Sequence, residues 1–105
     1  MAVKVGVIGA GTVGGGVIET LLSHHGVIAD KTGAEVRLVH VAELNQSLLA
    51  NLTLDGITVS NDARTLIADP EVDVVCELIG GYEPARTFIL EALNNGKHVV
   101  TANKA

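Results

Sequence analysis

Short runs of apolar, often β-branched residues alternate along this chain with longer stretches in which apolar side chains recur every three or four positions. VKVGVI (3–8) is a run of the first kind, and glycines follow it at once. From Thr12 onward, Val13, Val17, Ile18, Leu21 and Leu22 return at the spacing of one helix face. HHGVIADKTGA (24–34), broken by Gly26 and Gly33, predicts a loop, and EVRLVHVAEL (35–44) predicts a second strand. Residues 45–56 fit a short helix and then a turn at Asp55-Gly56, and ITVS (57–60) is a weaker third strand. Asn61 or Asp62 caps a helix that runs to about Ala68, where Pro70 stops it. VDVVCELIG (72–80) is a continuous apolar run of the kind that a strand covered on both faces requires. Pro84 suits the first turn of a further helix with Ala85, Phe88, Ile89, Ala92 and Leu93 on its inner face, and Gly96 ends it. HVVT (98–101) is the fifth strand.

Strands that alternate with helices imply right-handed crossovers and a parallel sheet. The expected fold is therefore α/β, a doubly wound parallel sheet of the Rossmann type with strand order 3-2-1-4-5. That order reverses between strands 1 and 4, and ligands of such sheets bind at the reversal, outside the carboxyl ends of the strands. Loops 9–14, 43–46, 80–83 and 101–104 each follow a strand, so they gather on that edge.

Composition narrows the function classes. A chain of 105 residues is one domain, and 48% hydrophobic residues give it enough apolar surface for a core. Two prolines and 18% charged residues argue against disorder. Net charge is −5, the seven Lys and Arg are scattered, and Tyr82 and Phe88 are the only aromatics. A nucleic-acid binder needs a basic stripe and stacking platforms, so nucleic acid is not an expected partner. The single cysteine, Cys76, reads as a small core hydrophobe and suits a reducing cytoplasm. MAVKVGVI is too short for a signal peptide, and no stretch approaches the ~20 apolar residues of a membrane span. Adjacent His24 and His25 diverge, while His40 and His98 alternate with apolar residues in strands; none forms a metal site.

Five of the twelve glycines lie between Gly9 and Gly16. Gly9-Ala10-Gly11-Thr12-Val13-Gly14 is a G-x-G-x-x-G that follows a predicted strand and opens a predicted helix, the context that gives this motif its meaning. Gly9 permits the tight turn, Gly11 lets a pyrophosphate approach the backbone, and Gly14 lets helix and strand pack closely. The N–H groups of the turn and the positive helix end hold the phosphates. Gly15 and Gly16 each cost ~1 kcal/mol relative to alanine in a helix. They make sense where a ligand or another backbone comes close to the turn.

Glu43, at the end of strand 2, follows Gly14 at more than the usual ~20 residues, and the 24–34 loop accounts for the excess. A carboxylate there accepts hydrogen bonds from ribose hydroxyls and repels a 2′-phosphate. Leu44, Asn45 and Gln46 follow it with no arginine, which favours NAD over NADP. Arg37 and Arg64, in mid-strand and on a helix, are not obvious phosphate clamps.

VGVIGAGTVGGGV (5–17), CELIGGYEPA (76–85) and EALNNGKHVVTANKA (91–105) together resemble the amino-terminal NAD(P)-binding domain of homoserine dehydrogenase. The likeness covers essentially the whole chain, and the TANKA ending is its most specific part. Oxidoreductases of the glucose–fructose oxidoreductase group share the AL-x-x-GKHV segment, but theirs leads into Glu-Lys-Pro. The resemblance implies interconversion of homoserine and aspartate 4-semialdehyde with NAD(P), on the route to threonine, methionine and isoleucine. It implies that Gly9 to Gly14 hold the pyrophosphate, with contacts from Thr12 and Val13. Ile79 and Gly80 then lie along the nicotinamide half, and Gly81 lets the chain turn. Thr101, Asn103 and Lys104 border the nicotinamide ribose and the substrate. Leu44 stands where many relatives place a basic residue, which puts their NADP preference in doubt here.

By the same resemblance Lys104 is the catalytic candidate, acting at the reacting hydroxyl or carbonyl. Hydride loss from carbon must be matched by proton loss from oxygen. A lysine assists as a base if its pKa is lowered, and otherwise as an electrostatic donor; the residues leave both roles open. In the family a second lysine and the remaining substrate contacts come from a later domain. Residues 1–105 are thus expected to be a dinucleotide-binding fragment, inactive alone, of an enzyme that oligomerises through the missing part. Two alternatives stay open: the front domain of a sugar-type oxidoreductase, and a stand-alone nucleotide-sensing module.

Overall fold

The first apolar run becomes the centre of the molecule. In a computed structural model, which describes residues 2–11, 14–22, 35–50, 52, 54, 56–79 and 84–101, Ala2–Ile8 form strand β1. Strand β2 is Glu35–Ala42, β3 is Thr58–Ser60, β4 is Val74–Glu77 and β5 is His98–Thr101. All pairings are parallel and the order is β3-β2-β1-β4-β5, as the alternation of strands and helices requires. Helix α1 covers 14–22, a 3₁₀ turn covers Gln46–Leu49, α2 is Ala63–Ile67 and α3 is Ala85–Asn94.

Each face of the sheet has its own core. Val5, Val7, Leu38 and Val41 pack against Ile18 of α1 on one side. Ile8, Ala42 and Val75 pack against Leu66 and Ile67 of α2 and Ala92 of α3 on the other. Central parallel strands must be apolar in both directions, which explains the unbroken runs in the sequence. A Cβ on Gly6 would lie 2.8 Å from Leu66 Cδ2, so the glycine in β1 is what lets α2 rest directly on the strand.

Strands β2 and β4 are shorter than their apolar runs, 35–44 and 72–80, predict. The cause is the central strand. At Gly9, with φ of +98°, the chain turns away, and Leu78 N–H donates the last β1–β4 bond to Ile8 O at 3.0 Å. Beyond that point β1 offers β2 and β4 no further ladder bond among the described residues. At its start β4 is preceded by Asp73, whose carboxylate accepts the Lys4 N–H at 3.0 Å.

The helix ends follow the capping residues. Asp62 caps α2 by accepting from Arg64 N–H at 2.8 Å, and Ala68 closes it. Pro84 caps α3 instead of lying in its first turn, and Gly96, with φ of +76°, follows its last turn. Ala85 and Ala92 are fully buried, but Leu93, expected on the inner face, is 53% exposed. Each helical residue advances about 100°, which carries Leu93 from the stripe centred on Ala92 to its rim. Cys76 is half-buried, and burial pushes its thiol pKa up.

Candidate functional site

Gly9, Gly11 and Gly14 form the turn from β1 into α1. A Cβ on Gly14 would sit 1.9 Å from Gly9 O, so the helix starts in backbone contact with the end of the strand. Gly9 N–H donates to Ala42 O at 2.9 Å and Gly15 N–H donates to Gly11 O at 2.7 Å, which fixes the turn from both sides. Among the described residues, Gly11 has no atom within 4 Å of the position its Cβ would take. Its surface is therefore open to a ligand at the positive end of α1.

Beside this turn runs a mainly apolar groove of about 640 Å³. Ile8, Gly9 and Gly11 lie at its base, Glu43 and Leu44 on the β2 side, Asn61 to Arg64 beyond β3, and Ile79 and Phe88 on the β4 side. It thus occupies the reversal of strand order, between β1 and β4, where open α/β sheets take their ligands. Its size is that of a small-molecule site.

Glu43 is half-buried at the end of β2 and braces the glycine turn. Its Oε1 accepts the Ala10 N–H at 2.6 Å, and its Oε2 accepts the Asn45 N–H at 2.9 Å. A carboxylate has about four acceptor positions, so two bonds leave capacity for ribose hydroxyls. Glu43 N–H in turn donates to Ser60 O at 3.0 Å, and Gln46 Nε2 donates to Glu43 O. Leu44, next to it, is 85% exposed on the rim.

Three features of the site or its surroundings were not legible in the sequence. Arg64 reaches the groove: its guanidinium lies 5.5 Å from the Phe88 ring centre, and its Nε donates to Glu91 at 3.1 Å. Helical position alone gave no reason to place it there. Glu77 is fully buried within the apolar run of β4. Its one signal was being the only acidic residue in VVCELI. His40, also buried, bonds through Nδ1 to Asp69 Oδ2 at 2.8 Å and through Nε2 to Ser60 Oγ at 2.9 Å. It ties β2 to β3 and to the turn after α2, and its hydrogen bond holds the Asp69 carboxyl below its usual pKa.

Gly9, Gly11, Gly14, Glu43 and Ile79 are brought together around the groove, and Thr101 ends β5 on the same edge of the sheet. Thr12, Val13, Gly80, Asn103 and Lys104 lie outside the described residues, as do Gly81, His24, His25 and Asp55. Among the described residues no group of three or more His, Cys, Asp and Glu could hold a metal ion, and no helix is long and apolar enough to cross a membrane.

A parallel sheet whose order reverses beside a helix seated on a glycine turn is the architecture of dinucleotide-binding domains. Comparison with known proteins makes the class particular. Residues 9–105 match the family described as "Homoserine dehydrogenase, NAD binding domain". The homoserine dehydrogenase of Methylobacillus glycogenes is 46% identical over 103 residues, which are 98% of this chain and 25% of that protein. A crystal structure of a homoserine dehydrogenase from Thiobacillus denitrificans has a TM-score of 0.87 and 42% identity, over 99% of this chain and 24% of that one. Levoglucosan dehydrogenase, solved in complex with NADH, is less similar: TM-score 0.76 and 25% identity, over 96% of this chain and 27% of its own. The chain belongs to the NAD-binding domain family of homoserine dehydrogenases. NAD or NADP is the cofactor of such a domain, and the chain spans about a quarter of the length of the curated relatives.

Proposed function

We propose that this chain is the cofactor-binding quarter of a homoserine dehydrogenase that interconverts homoserine and aspartate 4-semialdehyde in the cytoplasm. The observation that carries the reading is the contact of Gly14 with Gly9 beside an open Gly11, at the strand reversal, in a chain matching that family over 9–105. The turn offers a pyrophosphate room at Gly11 and the positive end of α1. Glu43, held by Ala10 and Asn45, offers its remaining acceptor positions to the adenosine ribose. Ile79 lines the β4 side, toward the nicotinamide half. When bound, the nicotinamide accepts or returns the hydride.

The substrate hydroxyl must lose its proton as hydride leaves the carbinol carbon. Lys104 is the residue of this chain assigned to that oxygen, as a base or as a cation that stabilises the developing negative charge. Thr12 and Val13 are assigned to the pyrophosphate, and Gly80, Thr101 and Asn103 to the nicotinamide half. The substrate's amino and carboxyl groups and the second lysine are left to a region after Ala105, through which the enzyme also oligomerises.

The direct test is reduction of NAD+ by the full-length enzyme with and without homoserine. Homoserine-dependent reduction is expected there, and binding without turnover in the 105-residue chain alone. A full-length protein that reduces nothing with homoserine, or an isolated chain that turns over, removes the reading. Tight binding of NADH by a chain with no further domain in its gene points instead to a nucleotide-sensing module.

NAD is the preferred cofactor because Glu43 meets the 2′ position with a negative charge and no basic residue follows it. NAD(H) is expected to raise the melting temperature more than NADP(H), and Glu43→Gln to narrow the difference. Equal shifts in the unsubstituted chain count against this assignment.

A further inference from the structure

Glu77 is fully buried at the carboxyl end of β4, where an apolar side chain is the ordinary choice. Burying a carboxyl group is costly unless both oxygens find donors. Here they do, and the two donors come from different segments. Oε2 accepts the Ile79 N–H at 2.7 Å, and Oε1 accepts the Thr101 hydroxyl at 2.7 Å. Glu77 and Thr101 are register partners on β4 and β5, so their side chains stand together on one face of the sheet. Among the described residues Glu77 forms no ion pair, and no buried side-chain nitrogen or oxygen lacks a partner. Among the described residues its two partners are thus hydrogen-bond donors from β5 and from the turn after β4. It works as a two-ended clasp.

What it clasps is informative. Ile79 begins the turn after β4 and lines the groove, while Thr101 is the last residue of β5 and stands three positions before Lys104 in sequence. We propose that Glu77 is a positioning residue for hydride transfer. By holding the Ile79 backbone and the Thr101 hydroxyl on one side chain, it sets the ends of β4 and β5 against each other where the nicotinamide half is bound. The inference rests on the dehydrogenase reading above. An apolar residue at 77 would fill the space but leave the Ile79 N–H without its acceptor. Glutamine keeps both contacts: its carbonyl accepts from Ile79, and its amide donates to the Thr101 oxygen. Geometry, not charge, is what the site requires, and a displacement of ~1 Å can cost up to ~10²-fold in rate.

Steady-state kinetics of the full-length enzyme with homoserine and NAD+ test this, alongside NAD+ binding and thermal melting. Glu77→Leu and Thr101→Val are each expected to lower kcat about tenfold or more, with NAD+ Kd within about threefold. Glu77→Gln should stay within about threefold of the unsubstituted kcat. The double variant E77L/T101V should be no slower than the slower single one, because both changes open the same clasp. An unchanged kcat in E77L, a loss confined to Kd or melting temperature, or fully additive effects overturn the inference. Should E77L not fold, exchange of the Ile79 amide hydrogen decides. It should quicken in T101V and not in T101S if Glu77 links the two, and equal protection in both overturns the link. A full-length enzyme inactive with homoserine refutes the functional reading; an active one whose E77L form keeps its kcat refutes only the role of Glu77.

Discussion

A side chain at position 14 has nowhere to go. The Cβ of Gly14→Ala would fall 1.9 Å from Gly9 O, a backbone atom that cannot step aside without moving β1. Overpacking of side chains typically costs about 1–3 kcal/mol, and a backbone clash belongs at or above the top of that range. Gly14→Ala is therefore expected to lose about 3 kcal/mol or more in urea unfolding, with dinucleotide binding lost as well. Motif spacing anticipated the turn at Gly9 and the close approach at Gly14, because a positive φ and a backbone contact this close each favour glycine. Glu43 was half legible. Its place at the end of β2 followed from the alternation of strands and helices, but its bond to Ala10 N–H did not, since that contact spans two loops. Glu77 was missed because one acid in an apolar run looks like a strand end until its donors are known.

At the scale of elements, α1 carries a glycine it does not need for its own packing. Gly16 is exposed and its Cβ would meet nothing within 4 Å among the described residues. Gly16→Ala should raise the stability of this chain by roughly 0.5–1 kcal/mol, measured as a shift in urea midpoint at unchanged m-value. A gain in this chain coupled with lost activity in the full-length enzyme would mean that another surface approaches α1 there. The sequence raised that possibility for Gly15 and Gly16 together. Among the described residues a Cβ on Gly15 meets only Ala10 O, at 3.4 Å, within ordinary contact.

The joint between β2, β3 and the turn after α2 has a pH dependence of definite sign. The His40 hydrogen bond lowers the folded-state pKa of Asp69 below its ordinary 3.8. A group whose folded pKa is depressed contributes stability above its unfolded pKa and loses it as pH falls through the folded value. Unfolding free energy should therefore drop with pH below about 4, and Asp69→Asn should make that acid limb shallower. An unaltered acid limb in D69N would show that other carboxyls carry the acid sensitivity. Among the described residues the periodicity placed the strands and helices but overran β2 and β4, because a strand ends where its partner leaves and local composition does not carry that information. The start of the first helix at Thr12 and the 24–34 loop lie outside the described residues.

In the whole molecule, β3 and β5 are the edge strands of the sheet among the described residues, and β5 is the more exposed apolar edge. It pairs with β4 alone among the described residues, and Val100 is 57% exposed. Unpaired apolar edges are templates for association, and a charge on the edge blunts them. Val100→Lys should reduce concentration-dependent self-association of the 105-residue chain in sedimentation, while changing stability by no more than about 0.5 kcal/mol. If association is unaffected, the contact lies elsewhere. By itself the sequence determined the parallel sheet, its order, the glycine turn and the acid beyond β2. Each of these follows from periodicity or from a steric demand that only one kind of residue meets. The tertiary structure decided where the strands stop, that Arg64 joins the groove, and that Glu77 binds the ends of β4 and β5 together. Those facts depend on donors and neighbours distant in sequence, and no local pattern encodes which of them will meet.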